Sequence, residues 1–193
     1  LLNPLNCATI DVTLTVTASV ADAIDDAPPA VNGLTGGSTP SVLANDTLAG
    51  SPVNPADVTI TQVSTTSPNV TLNPATGAVE IAAGTPAGSY TLVYELCEVL
   101  NPANCDTAVV SVTVDAAPIA AVADTPTVDA ILGGVTPSVL TNDLLNGVAV
   151  NPAAITLTPG AAPAPASGSI IMNPDGTITV APGTTAGVYT YPY

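Results

Sequence analysis

Tyr90-Thr91-Leu92-Val93-Tyr94-Glu95-Leu96-Cys97 and Cys105-Asp106-Thr107-Ala108-Val109-Val110-Ser111-Val112-Thr113-Val114 are separated only by Glu98-Val99-Leu100-Asn101-Pro102-Ala103-Asn104. In the first run Tyr90, Leu92, Tyr94 and Leu96 alternate with Thr91, Val93 and Glu95; in the second Val110, Val112 and Val114 alternate with Ser111 and Thr113. Side chains of an extended strand point to opposite faces in turn, so this period of two predicts a strand with one buried and one wet face. The stretch between the runs is turn-like, and Cys97 and Cys105 flank it. That spacing suits a disulfide across the end of a hairpin, closing a short loop worth roughly 2–3 kcal/mol. The alternative is a set of buried free thiols. A disulfide would imply an oxidising compartment.

The same alternation appears at Val12, Leu14 and Val16, and shorter strands are expected at Val58–Val63, Val70–Leu72, Val79–Ile81, Ile155–Leu157, Ile170–Met172 and Ile178–Val180. Turn residues punctuate them: Asn54-Pro55, Asn73-Pro74 with Gly77, Gly84-Thr85-Pro86-Ala87-Gly88, and Asn173-Pro174-Asp175-Gly176. Helix signals are poor. Short strands at this spacing indicate an antiparallel β-sandwich with an aliphatic core, because Tyr supplies the only aromatic rings.

The chain repeats itself. Ser41-Val42-Leu43-Ala44-Asn45-Asp46 returns as Ser138-Val139-Leu140-Thr141-Asn142-Asp143, and Val53-Asn54-Pro55-Ala56 as Val150-Asn151-Pro152-Ala153. Ala87-Gly88-Ser89-Tyr90-Thr91 matches Ala186-Gly187-Val188-Tyr189-Thr190, and Leu2-Asn3-Pro4-Leu5-Asn6-Cys7 matches Leu100-Asn101-Pro102-Ala103-Asn104-Cys105. The unit is about 98 residues, the size of one small sandwich domain. Residues 1–17 then correspond to the terminal strand of a preceding repeat, 18–114 to a complete repeat, and 115–193 to a second repeat lacking its last hairpin strand. Cys7 is the counterpart of Cys105, and its expected partner lies outside the chain. The chain does not open on Met and is expected to be part of a longer polypeptide.

Composition excludes much of biochemistry. The 193 residues contain no Lys, Arg, His, Trp or Phe, and 15 Asp and Glu give a formal charge of -15. No phosphate-neutralising patch exists, so nucleic acid is not an expected partner. An anionic membrane surface should repel the chain, and no apolar run approaches a membrane span, so membrane insertion is not expected either. Without His or Lys the commonest general bases and Schiff-base chemistry are absent. Asp25-Asp26 is the nearest thing to a carboxylate pair, but it lies in an Ala/Pro-rich linker and no aromatic sugar platform accompanies it. The chain is not expected to be an enzyme. With 47% apolar residues it is too hydrophobic to be disordered.

The cycle Gly-Gly, Ser-Val-Leu-x-Asn-Asp, Asn-Pro-Ala, Asn-Pro-Asp-Gly-Thr-Ile-Thr-Val, Gly-Thr-x-Ala-Gly-x-Tyr-Thr and Cys-Glu-x-x-Asn-Pro-x-Asn-Cys-Asp-Thr-Ala resembles the tandem Ig-like or cadherin-like repeats of large Bacteroidota cell-surface proteins, including gliding-type adhesins. The resemblance covers essentially the whole chain, through scaffold motifs. It implies an all-β chain of tandem Ig-like antiparallel β-sandwich repeats, secretion across the outer membrane, and a surface-associated filament. Val-Leu-x-Asn-Asp is also similar to calcium-dependent cadherin-like repeats. Asp46-Thr47-Leu48 and Asp106-Thr107-Ala108 resemble the Asp-Thr-apolar O-glycosylation sequon of such bacteria, which makes Thr47 and Thr107 candidate glycan sites; Asn45 and Asn69 fit Asn-x-Thr.

Calcium is the candidate ion. It takes six to eight oxygens, and carboxylates gathered at a domain junction could supply them. Asp22, Asp25, Asp26 and Asp46 form one candidate set, and Asp124 and Asp143 belong to the other. The plainer reading is solvated linker charge, with Asn45-Asp46 and Asn142-Asp143 as turns whose side chains bond local backbone. The expected function is a structural shaft segment of an extracellular fibre or surface adhesin. Its partners would be neighbouring copies of the repeat, with surface glycans or proteins as further candidates. Two alternatives remain: a self-polymerising fibre subunit joined by strand complementation, with Ala8–Thr17 completing the sandwich that ends at Tyr193, or a carbohydrate- or protein-binding surface module.

Overall fold

The structure is a computed structural model that describes residues 7–17 and 19–193. It is all-β. Among the described residues the only helical segments are the short 3-10 turns Val42–Ala44, Val139–Thr141 and Pro152–Ala154. None of them is long and apolar enough to cross a membrane. The chain divides into two compact units, the first ending at Ala116 and the second running from Ala117 to Tyr193.

The first unit contains β1 (Ala21–Asp22), β2 (Val31–Asn32), β3 (Gly37–Ser41), β4 (Thr47–Leu48), β5 (Ser51–Pro52), β6 (Val58–Thr65), β7 (Val70–Leu72), β8 (Ala78–Ile81), β9 (Gly88–Glu98) and β10 (Cys105–Asp115). A four-stranded sheet, β2-β10-β9-β6, faces a three-stranded sheet, β3-β8-β7, and a small sheet β1-β4-β5 lies beside them. The long hairpin β9–β10 pairs Leu92 with Val110 and Tyr94 with Ala108. Its alternation works as the sequence implies: Leu92, Tyr94, Leu96, Val110, Val112 and Val114 are buried, whereas Thr91, Ser111 and Thr113 are exposed. Val70, Leu72, Val79 and Ile81 from the facing sheet complete one aliphatic core. A single edge departs from antiparallel pairing. β2 runs parallel to β10, with Val31 beside Val114, and Asp26 bridges to Val110 in the same sense. The β7–β8 hairpin turns on Gly77, whose φ of 74° is left-handed and whose missing Cβ leaves room for Ser41 Oγ.

The second unit contains β11 (Ile119–Ala120), β12 (Gly134–Val135), β13 (Leu144–Leu145), β14 (Val148–Ala149), β15 (Ile170–Met172) and β16 (Ile178–Val180). Its sheets β11-β13-β14 and β12-β16-β15 repeat β1-β4-β5 and β3-β8-β7 of the first unit. The four-stranded sheet has no counterpart. No strand is assigned at 155–157, where one is expected, or at 188–193, the equivalent of the first half of β9. The reason is cooperative. In the first unit β9 is held between β6 and β10, and residues 117–193 include no equivalent of β10. A strand without ladder partners is at best marginal. The core is correspondingly thin: Val139, Leu140 and Met172 are buried, and Ile155, Leu157, Ile178 and Tyr191 pack against them only half-buried.

Residues 1–6, the beginning of the expected terminal strand, lie outside the described residues. Residues 7–17 carry no strand assignment, and Ile10, Val12, Leu14 and Val16 are 81–90% exposed.

Candidate functional site

Both units hold a buried aspartate on a tyrosine hydroxyl. In the first, Ser41 precedes the 3-10 turn Val42–Ala44, and its Oγ accepts from Leu43 N at 3.3 Å. The turn ends at Asn45 and delivers Asp46 into the interior, 1% exposed, just before β4. Tyr94, on the inward face of β9, donates its hydroxyl to both Asp46 carboxylate oxygens at 2.9 Å. Ile24 N donates to Asp46 Oδ1 at 2.8 Å. Asn45 donates from Nδ2 to the carbonyls of Ile24 and Asp25, at 3.1 and 3.2 Å. The Asn45-Asp46 pair therefore does not bond local backbone as its turn-like sequence suggests. It ties together segments 21 and 48 residues away along the chain.

The second unit repeats the tie. Ser138 Oγ accepts from Leu140 N at 3.3 Å, Asp143 is 4% exposed, and Val122 N donates to Asp143 Oδ1 at 2.7 Å. Tyr193 Oη donates toward Asp143 Oδ1 at 3.2 Å and Asp124 Oδ2 at 3.3 Å. Asn142 Nδ2 donates to Ala123 O at 3.4 Å. This tie is looser, and Tyr193 is 37% exposed where Tyr94 is fully buried.

The electrostatics follow from burial in a chain that contains no cation. Desolvation raises the Asp46 carboxyl above the ordinary carboxylate range, against the pull of its donors. Tyr94 is pushed far above the usual phenol value, by burial first and then by Asp46. Tyr193 is pushed up to about 12 by burial and by Asp143 and Asp124. Asp26 lies next to the tie. Its Oδ2 is buried without a hydrogen-bond partner of good geometry. Burial, then Asp46, then Asp25 raise Asp26 to about 6.

The six calcium candidates are thus divided between two ties. Asp22 lies exposed on β1, paired through its backbone with Thr47. Asp25 Oδ1 accepts from Val109 N at 2.8 Å, and Asp26 brackets β10 through Asp26 N to Val109 O and Ser111 N to Asp26 O. The acidic oxygens mostly serve as internal acceptors for neutral donors. Among the described residues, the only three side chains of metal-ligating type with ligand atoms within 4.8 Å of one another are Glu95, Cys97 and Cys105. Two of those are joined, because a disulfide links Cys97 and Cys105 across β9 and β10. Cys7 is exposed. Of the glycan candidates, Thr107 is exposed on β10, whereas Thr47 is half-buried in β4.

Two contributors escaped the sequence reading: the tyrosine partners Tyr94 and Tyr193, and Asp106, whose Oδ2 accepts from Ala23 N at 3.0 Å. A signal for the first existed. Tyr94 and Tyr193 occupy equivalent positions of the repeat, as do Asp46 and Asp143, so the pair duplicates as a pair.

No family model and no curated protein matches the chain. Among solved structures it is similar to the human desmocollin-1 ectodomain, with a TM-score of 0.38 and 10% identity over 84% of this chain and 33% of that one. It is also similar to extracellular cadherin domains 1–4 of protocadherin gamma B7, with a TM-score of 0.36 and 13% identity over 87% of this chain and 42% of that one. Domains 3–6 of protocadherin gamma B2 give a TM-score of 0.36 and 12% identity over 87% and 45%. The chain spans less than half the length of each, and likeness at this level carries no functional argument.

Proposed function

We propose that the chain is a structural shaft segment of an extracellular fibre or surface adhesin, made of stacked β-sandwich repeats of about 98 residues divided at 1–17, 18–114 and 115–193. One observation carries this reading: the same Ser-capped turn and Asp–Tyr tie recur in both units, and both spend their polar groups on holding the unit together. A binding module or an enzyme would instead direct some of those groups outward. The Cys97–Cys105 disulfide supports an oxidising, extracellular setting. The reading extends to an outer-membrane-associated filament whose partners are neighbouring copies of the repeat, with glycans carried on Thr107.

The first test is the mass of the native polypeptide on a denaturing gel, with and without reductant. A band far above the 18.8 kDa of these residues in both lanes supports a shaft of many repeats. A glycan array addresses the competing class: saturable binding of a defined glycan would replace the shaft reading with that of a lectin-like module. This reading requires no calcium. With Asp46 and Asp25 already accepting internal hydrogen bonds, millimolar calcium is expected to leave the melting temperature nearly unchanged.

A further inference from the structure

Asn-Gly occurs twice, at Asn32-Gly33 and Asn146-Gly147. In such a pair the glycine backbone nitrogen can reach the asparagine side-chain carbon with no Cβ in the way. Asn3, Asn54, Asn73, Asn101, Asn151 and Asn173 precede proline, whose nitrogen carries no hydrogen to lose, so they are closed to this chemistry. The fold treats the two glycine pairs oppositely. Gly33 is buried, and its N–H donates to Asp115 O at 2.8 Å. A Cβ at Gly33 would run into the Thr85 carbonyl and Val114, so its surroundings leave no slack. Asn32 Oδ1 accepts from Leu34 N at 3.0 Å and from Thr35 N at 3.3 Å, which directs the side chain along the loop.

Gly147 is under none of these constraints. It is exposed, a Cβ there would meet only open space, and among the described residues no backbone carbonyl accepts from its N–H. It is the second residue of the two-residue turn between β13 and β14, in which Asn146 and Gly147 have φ of 55° and 76°. Leu145 pairs with Val148 to close the turn, and Leu144 with Ala149 forms the one further rung. Asn146 N donates to Pro118 O at 2.7 Å, which holds the residue ahead of the glycine nitrogen but not that nitrogen itself. A sheet of two-residue strands opens at low cost compared with the long ladder of β9 and β10.

We infer that Asn146-Gly147 is a self-modification site at which the folded chain deamidates, while Asn32-Gly33 is held unreactive. The Gly147 nitrogen attacks Asn146 Cγ, forming a C–N bond that closes a five-membered succinimide ring. The Cγ–Nδ2 bond breaks, and the side-chain nitrogen leaves as ammonia with the proton from Gly147. Water, the only other reactant, then opens the ring. Cleavage between Gly147 N and Cγ leaves aspartate. Cleavage at the main-chain carbonyl of residue 146 leaves isoaspartate, with Cγ now part of the main chain. Aspartate keeps the chain length and, like asparagine, tolerates the left-handed region. Isoaspartate adds a main-chain carbon, which a two-residue loop cannot absorb without losing the Leu145–Val148 register. Either product adds a negative charge to a chain that has no cation to meet it. The change reaches the buried tie, because Asp143 stands immediately before β13 and its carbonyl accepts from Val150 N, just past β14, at 3.1 Å.

The equivalent turn of the first unit supplies the controls. Ala49 and Gly50 have φ of 54° and 73° between β4 and β5, and Ala49 N donates to Val20 O as Asn146 N does to Pro118 O. Alanine is therefore accepted where Asn146 stands. The test incubates the folded 193-residue chain, with its Cys97–Cys105 bridge intact, at neutral and mildly alkaline pH. Samples are then unfolded, digested with chymotrypsin and fragmented by electron transfer, which tells isoaspartate from aspartate. Residue 146 should convert roughly tenfold or more faster than residue 32. In urea the two rates should converge, because the difference belongs to the fold. Asn146→Ala should remove the reaction from the second unit with that unit still folded, and Ala49→Asn should create a reactive site in the first. On ageing, the melting transition of the second unit should fall in the unaltered chain and hold steady in Asn146→Ala. Equal rates at 32 and 146 in the folded chain, or a gap that persists in urea, overturn the inference. An Ala49→Asn chain that stays unreactive at residue 49 overturns it as well. None of these outcomes touches the shaft reading, which stands or falls on the mass of the native polypeptide.

Discussion

Asp46 has no cation to pair with, because the chain contains none, so its burial rests on Tyr94 and Ile24 N alone. A buried acceptor that loses its donor costs about 1–3 kcal/mol, more than the bond itself contributes. Tyr94→Phe is therefore expected to lower the unfolding free energy of the first unit, read from urea titration, by an amount in that range, and Tyr193→Phe to do less, since Tyr193 already meets solvent. Asp26 sets the pH response. Its folded value is about 6 against 3.8 for an ordinary aspartate, so between those values the native state binds more proton than the unfolded chain. Stability then falls as pH rises through that window and is greatest on its acid side. Urea titrations from pH 3.5 to 7 should show this slope, and Asp26→Asn should flatten it and raise stability at pH 7. Asn45-Asp46 was legible as a special turn, but its bonding was not. The side-chain partners lie 20 to 48 residues away, and sequence spacing carries information only about local bonds.

At the level of elements, the long hairpin was readable because every device in it agrees: strict alternation on both runs, a Pro-containing turn, and cysteines placed directly opposite one another in the ladder. The bridge closes a loop of sequence separation 8. By chain entropy it should contribute roughly 2–3 kcal/mol to the first unit. Cys97→Ser with Cys105→Ser is expected to lower that unit's melting transition while leaving signals from the second unit in place, which calorimetry with residue-resolved NMR would separate. The segments 12–16 and 155–157 carry equally good strand patterns, yet no strand is assigned to either. Alternation records which face a strand would bury, and it says nothing about whether a neighbour exists to complete the ladder. Short strands such as β4 and β5, two residues each, offer too few positions for any period to register. The difference between the sheets should appear in hydrogen exchange on dilute chain. Amides of β9 and β10 should exchange slowest, and those of residues 12–16, 155–157 and 188–191 should exchange fastest among the candidate strand segments. Equal protection in both units would contradict the asymmetry of their cores.

For the whole molecule, the decisive property is a charge of one sign. In most proteins added salt acts in two directions, weakening attractive pairs and relieving repulsive ones. With 15 acidic side chains and no basic side chain, attraction between side chains is missing, and screening can only relieve repulsion. The Debye length shrinks from about 30 Å at 0.01 M to about 8 Å at 0.15 M, so most carboxylates lose sight of all but their nearest neighbours. The melting temperature is therefore expected to rise steadily between those salt concentrations at pH 7, and to rise less at pH 4, where part of the charge is already neutralised by protons. Chloride salts of sodium and potassium should act alike, because the effect is screening and not site binding. A divalent cation that raised the melting temperature far beyond its contribution to ionic strength would instead reveal a specific site among the carboxylates of the two ties.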